Sequence, residues 1–173
     1  MRFAIATIAL LAGLTLQGCG PTFNWRETPI AATSLTALFP CKPLKASRKL
    51  VLGGKEVEMQ MTGCDTGGVT LAVGHATITD PTMVGAAMDQ WREAALAGIR
   101  ASTSSVSALR LEQALEIPQS VRVQAVGARS DGRALSLQAA WFARGTEVFG
   151  ALVYGDTLAP EVVDTFFSGL KFR

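Results

Sequence analysis

The stretch VRVQAVGARSDGRALSLQAAWFARGTEVFGALVYG, Val121 to Gly155, decides the fold. Its apolar residues recur at every second position, the period of a strand with one face buried, and two glycine-bearing breaks divide it into three. A three-residue loop at Ser130-Asp131-Gly132 sets Val121, Val123 and Ala125 against Trp141, Ala139 and Leu137. A two-residue turn at Arg144-Gly145 sets Trp141, Ala139, Leu137 and Leu135 against Val148, Gly150, Leu152 and Tyr154. A slip of one residue would turn every side chain to the wrong face, so agreement among three strands predicts an antiparallel meander. Phe149 and Val153 point the other way, and this part of the sheet is expected to be covered on both faces.

The alternation extends upstream. With Gly53-Gly54 as a two-residue hairpin turn, Leu50 faces Val57 and Ala46 faces Met61. On the opposite side Lys49 faces Glu58 and Ser47 faces Gln60, while Arg48 opposite Met59 is the misfit. One apolar and one polar face describe a half-buried ribbon. Val69, Leu71, Val73 and His75 alternate as a further strand. Their apolar face is out of phase with Met59 and Met61, so a bulge is expected at Gly63 or in Gly67-Gly68.

Asp80-Pro81 starts a helix, with the aspartate as cap and the proline in the first position. Val84, Met88, Trp91, Ala95 and Ile99 draw one apolar stripe along it. Residues 101–120 read either as a loop and short helix or as an irregular strand. Pro160 opens a last short helix through Phe166 and Phe167. The class is therefore α+β: an antiparallel meander with helices packed on it, in one domain over residues 35–173.

The N-terminus carries a different message. Met1-Arg2 is followed by FAIATIALLAGLTL, Phe3 to Leu16, which has no charge and is too short to span a bilayer. It fits the hydrophobic region of a secretory signal. Leu16-Gln17-Gly18-Cys19 then resembles the lipobox of bacterial lipoproteins. Residues 1–18 are accordingly expected to be a signal peptide. Cys19 would be the lipidated first residue, its thiol taking a diacylglyceryl group and Gly18 leaving room for the peptidase. Gly20 stands where an aspartate would retain the protein in the inner membrane, which directs the expectation to the periplasmic face of the outer membrane. Residues 19–34 read as a tether, within which Phe23 and Trp25 either touch the membrane interface or, more simply, dock on the domain.

Sixteen basic residues stand against fourteen acidic ones with no basic run, which argues against nucleic acid as a partner. Cys41 and Cys64 form an even pair in a compartment expected to oxidise them, and the hairpin puts Cys41 opposite Thr66, two residues from Cys64. A disulfide is expected; a metal pair is the rival, though one histidine and no CxxC make a poor ligand set.

The order of elements, with Phe39-Pro40, Lys42-Pro43 and the tail Phe166-Phe167-Ser168 through Leu170-Lys171-Phe172, resembles the PsbP-like family. The resemblance implies an αβα sandwich over residues 35–173. It implies no shared active site, and the known plant members assist assembly of a membrane complex. Cys41 stands where such chains often carry glycine.

No set of catalytic residues emerges. His75 is the single histidine and alternates toward the sheet's inner face, without a GxSxG elbow. Gly53-Gly54-Lys55 lacks phosphate-loop spacing, and Asp65, Asp80 and Asp131 sit beside turns, where aspartate serves the backbone. The tryptophans and Tyr154 fall on core-facing registers. The expectation is a non-catalytic envelope lipoprotein without a cofactor, anchored through lipid, that binds or supports an envelope protein or complex. The alternative is a module binding a small ligand or envelope component in a groove between sheet and helix.

Overall fold

The computed structural model describes residues 23–173. The signal peptide and Cys19 lie outside the described residues. The principal sheet has seven antiparallel strands in the order β3-β4-β5-β9-β8-β7-β6. They are β3 (Leu44–Leu52), β4 (Lys55–Thr66), β5 (Val69–Thr77), β6 (Thr103–Ala108), β7 (Val121–Ala128), β8 (Ala134–Arg144) and β9 (Glu147–Gly155). A small antiparallel sheet joins β1 (Arg26–Pro29), β2 (Leu35–Phe39) and β10 (Lys171–Phe172), with β2 in the middle. Among the described residues two α-helices complete the fold, α1 (Val84–Gly98), entered through a 3-10 turn at Pro81–Met83, and α2 (Pro160–Ser168).

Each face of the large sheet closes its own core. Helix α1 lays Val84, Met88, Trp91 and Ala95, and Ile99 just past its end, on one face, against Met59, Val121, Val123, Leu137, Trp141 and Val148. On the other face α2 and the small sheet cover Leu71, Val73, Phe142, Phe149 and Val153. A sheet covered this way keeps alternate side chains of one strand in two different cores. Trp141 and Phe142 are neighbours in β8, both fully buried, on opposite faces.

That arrangement removes the expected bulge. Strand β4 pairs with β5 without interruption from Gln60↔His75 to Thr66↔Val69, closing on a two-residue Gly67-Gly68 turn. Both glycines have positive φ, as do Gly53 and Gly54, the conformation that tight hairpins between twisted strands require. The phase conflict arises because Val57 and Met59 belong to the α1 core, whereas Cys64, Leu71 and Val73 belong to the α2 core. Strand β4 changes its buried face at Thr62 without changing register.

The first hairpin has the expected pairs, Leu50↔Val57 and Ala46↔Met61. The turn is held by α1: Gln90 accepts from the Gly53 N–H and donates to the Val51 carbonyl, at 3.0 and 3.2 Å. The β7–β8 pairs are also as expected, Val121↔Trp141 through Ala125↔Leu137. The β8–β9 register differs by two residues. The turn is Gly145-Thr146, with Arg144 paired to Glu147, so Trp141 faces Gly150 and Leu137 faces Tyr154. Gly145 takes positive φ at the first central position, where a glycine relieves the turn, and a shift of two preserves every face.

Residues 24–30, expected to belong to a tether, are built into the domain. Arg26–Pro29 forms β1 on β2, the Asn24 N–H donates to the Pro40 carbonyl, and Ile30 is buried. Phe23 and Trp25 pack against the α2-side core. A four-residue edge strand ending in proline is too short to show a period. Residues 103–108, within the stretch left open between loop and strand, form the edge strand β6.

Candidate functional site

Helix α2 is nine residues long and covers only part of its face of the sheet. Beyond it, over β6, β7 and β8, the face lies open as a groove of about 570 Å³. Pairing fixes its floor. Thr103 faces Val126, Ser105 faces Gln124, and Gln124 faces Gln138, so their side chains share one side. Asp156, Thr157 and Leu158, between β9 and α2, form a wall. The alternation of β7 supplies these polar groups: its odd residues enter the α1 core, which leaves Arg122, Gln124 and Val126 on the groove side.

The lining mixes hydroxyls and amides (Thr103, Ser105, Gln124, Ser136 and Gln138), which can donate and accept, with apolar Val126 and Leu158. Its nearby charges are tied to one another. Asp156 accepts from Arg129 at 2.9 Å and lies 3.8 Å from Arg133, which also holds Asp131 at 2.8 Å. Arg122 marks the passage to a second hollow of about 360 Å³ beside α2, lined by Leu109, Asp164 and Phe167. Its guanidinium lies 3.5 Å from the Phe167 ring centroid, and Nη2 donates to Gln138 Oε1 at 2.9 Å. Burial pushes the Arg122 pKa down, and Asp164 offsets that in part. Arg122 is a half-buried cation seated on an aromatic face.

The groove ends at an open sheet edge. Every residue of β6 is exposed, and its sequence TSSVSA contains no charge. The other edge of the sheet, β3, reads LKASRKLVL and carries Lys45, Arg48 and Lys49. Native sheets guard free edges with such charges; this one guards only one of its two.

Cys41 and Cys64 are joined, with an S–S distance of 2.06 Å, as expected from a hairpin register that puts Cys41 opposite Thr66, two residues from Cys64. His75 is buried on the α2 side, 5.1 Å from Phe149 between ring centroids. Its Nε2 lies 3.3 Å from Glu147 Oε1, yet neither ring nitrogen completes an aligned hydrogen bond. Burial lowers its pKa, and the neighbouring Glu147 carboxylate pulls it back only in part. Asp80 accepts from the Thr82 N–H at the start of the turn before α1, and Asp131 accepts from the Arg133 N–H in the β7–β8 loop. Asp65 accepts from the Thr70 hydroxyl. His75 and these three aspartates are therefore dispersed in separate structural duties.

Among the described residues no group of three His, Cys, Asp or Glu is placed to hold a metal ion, and no helix is long and apolar enough to cross a membrane. Arg122, Gln124 and Gln138 escaped the sequence reading. Their only signal is a polar residue at alternate places in β7, and that pattern equally describes a solvated strand face. Comparison of the chain with family models, curated proteins and solved structures gives no match.

Proposed function

We propose that this chain is a lipid-anchored protein of the bacterial envelope, on the periplasmic face of the outer membrane, that binds or supports a protein partner without chemistry on it. The observation that carries the reading is the open groove over β6–β8, whose lining sets hydroxyl and amide side chains beside apolar ones. Hydroxyl and amide side chains on a sheet face offer hydrogen bonds to an extended backbone laid across it. Acids and bases near the groove neutralise each other, which suits recognition by hydrogen bonding more than activation of a substrate.

The anchor is read from Leu16-Gln17-Gly18-Cys19. Between Cys19 and Phe23, the first described residue, four residue steps reach at most ~14 Å. A lipid on Cys19 would hold the domain close against the bilayer. The fold itself we read as PsbP-like. Its support is that Phe39, Phe166, Phe167, Leu170 and Phe172, which carry the resemblance, all meet in one core.

A photo-reactive residue in place of Gln124, in the full chain within its native envelope, tests the groove. A reproducible protein adduct that is absent when the probe replaces Glu56 on the far hairpin supports the reading. A small molecule bound there with no protein adduct turns the assignment to ligand binding, for which a 570 Å³ groove is also large enough.

A further inference from the structure

The unguarded edge selects its own occupant. The Leu109 N–H donates to the Ser120 carbonyl at 2.9 Å, in register with the β6–β7 pairs Ala108↔Val121 and Ser107↔Arg122. An antiparallel ladder alternates, so the N–H and C=O groups of Thr103, Ser105 and Ser107 turn toward β7. Those of Ser104, Val106 and Ala108 turn outward, and among the described residues β6 has no neighbour on that side.

We propose that β6 pairs with β6 of a second copy, antiparallel about a twofold axis at Val106, making one continuous sheet of both chains. In this register Val106 faces Val106 of the other copy and Ser104 faces its Ala108. All three outward-turned residues then exchange backbone hydrogen bonds. Charge decides between the two available edges. A strand that pairs with itself brings its charges near their twins, and facing like charges are unfavourable. Even with Glu56 3.0 Å from Lys49, β3 would bring together three cations, Lys45, Arg48 and Lys49, whereas β6 brings together no charge. Pairing also covers Val106, which is 56% exposed on its own.

An antiparallel edge pairing has its axis perpendicular to the sheet, so both copies show the same face on the same side. The two grooves meet at the axis, with Ser105 of one copy beside Ser107 of the other. The inference deepens the groove reading: the partner site becomes a single trough across two copies, with one Arg122 toward either end.

The test uses the full chain in its native membrane with Val106→Cys under mild oxidation. Facing residues of such a pair lie ~5.5 Å apart between Cα atoms, within disulfide reach. The expected result is a band of twice the chain mass without reductant and a peptide linked through position 106 to its twin. Val51→Cys on the opposite edge should give no such band. Val106→Lys, at an exposed position that tolerates the change, should reduce the dimer fraction several-fold in sedimentation of the detergent-solubilised protein. Absence of the 106–106 link, or wild-type chain sedimenting as a single copy throughout its soluble range, overturns the pairing. The Gln124 adduct is read separately, so a failed link with a retained adduct leaves a one-copy groove.

Discussion

Gly74 and Gly150 stand directly opposite each other in the β5–β9 ladder, and the indole of Trp91 rests on the flat patch they leave. A Cβ on Gly74 would come within 2.7 Å of the Trp91 ring and of the Met61 sulfur; one on Gly150 would come within 2.9 Å of the ring. Strand glycines ordinarily weaken a sheet. Here their missing side chains admit the bulkiest residue of the α1 stripe.

Gly150→Ala should therefore destabilise the protein by about 1–3 kcal/mol, the usual cost of overpacking. Because Trp141 Nε1 lies 3.1 Å from the same added carbon, little room exists for the indole to yield. In denaturant titrations the Trp91→Leu/Gly150→Ala double variant should lose less than the sum of the single losses, since leucine vacates the contested space. Strict additivity would show that the two residues do not share it.

Trp141 is wholly buried against α1. Trp141→Ala should cost roughly 3–5 kcal/mol, with the loss set by how far the cavity collapses. Fluorescence of a variant retaining Trp141 alone should be blue-shifted and protected from quenchers. A solvent-like spectrum would contradict its placement.

The Cys41–Cys64 bond closes a separation of 23 residues. Replacing both cysteines by alanine should lower stability by about 3 kcal/mol through loop-closure entropy restored to the unfolded chain. Mass analysis without reductant should find the two peptides linked. Two free thiols in freshly isolated protein would remove this contribution.

His75 makes stability depend on pH. Its folded pKa lies below the ordinary value because burial disfavours the charged ring. Between the folded value and the unfolded one, near 6.5, the unfolded chain binds more protons, and folding stability rises with pH. The contribution is complete above about pH 6.5 and is lost as pH falls to the folded pKa. Thermal unfolding midpoints should drop on acidification through this window, and His75→Leu should flatten that part of the curve. An unchanged slope in the variant would assign the dependence to other groups.

The sequence made the α1 face of the sheet readable and the other face only partly so. Val121, Val123 and Leu137 alternate against Arg122, Gln124, Ser136 and Gln138, because the face behind this part of β7 and β8 is not covered by α2. Farther along, both faces are covered, and β5 and β9 lose the contrast that marks a phase. That is why continuous pairing at β4–β5 looked like a bulge. The Gly145-Thr146 turn was misplaced by one residue because alternation fixes parity and leaves the choice among shifts of two to turn chemistry. Neither β1 nor β10 has length enough to carry a period, and each exists by virtue of β2 between them. The groove was the least legible part, since it consists of what α2 fails to cover.

The place of β10 also imposes an order of events on the chain as it is made. Lys171 and Phe172 pair with Thr36 and Leu35, and the Arg173 N–H donates to the Ser34 carbonyl. A polypeptide delivered from its N-terminus exposes β2 first and must hold it without one of its two neighbours until residue 172 emerges. Phe172 also packs on Phe142 and Phe149, so the core between the sheets stays unsealed until that moment. Contacts so distant along the chain are slow to form. The large hairpins can assemble during delivery, but the small sheet can close only at the end of it.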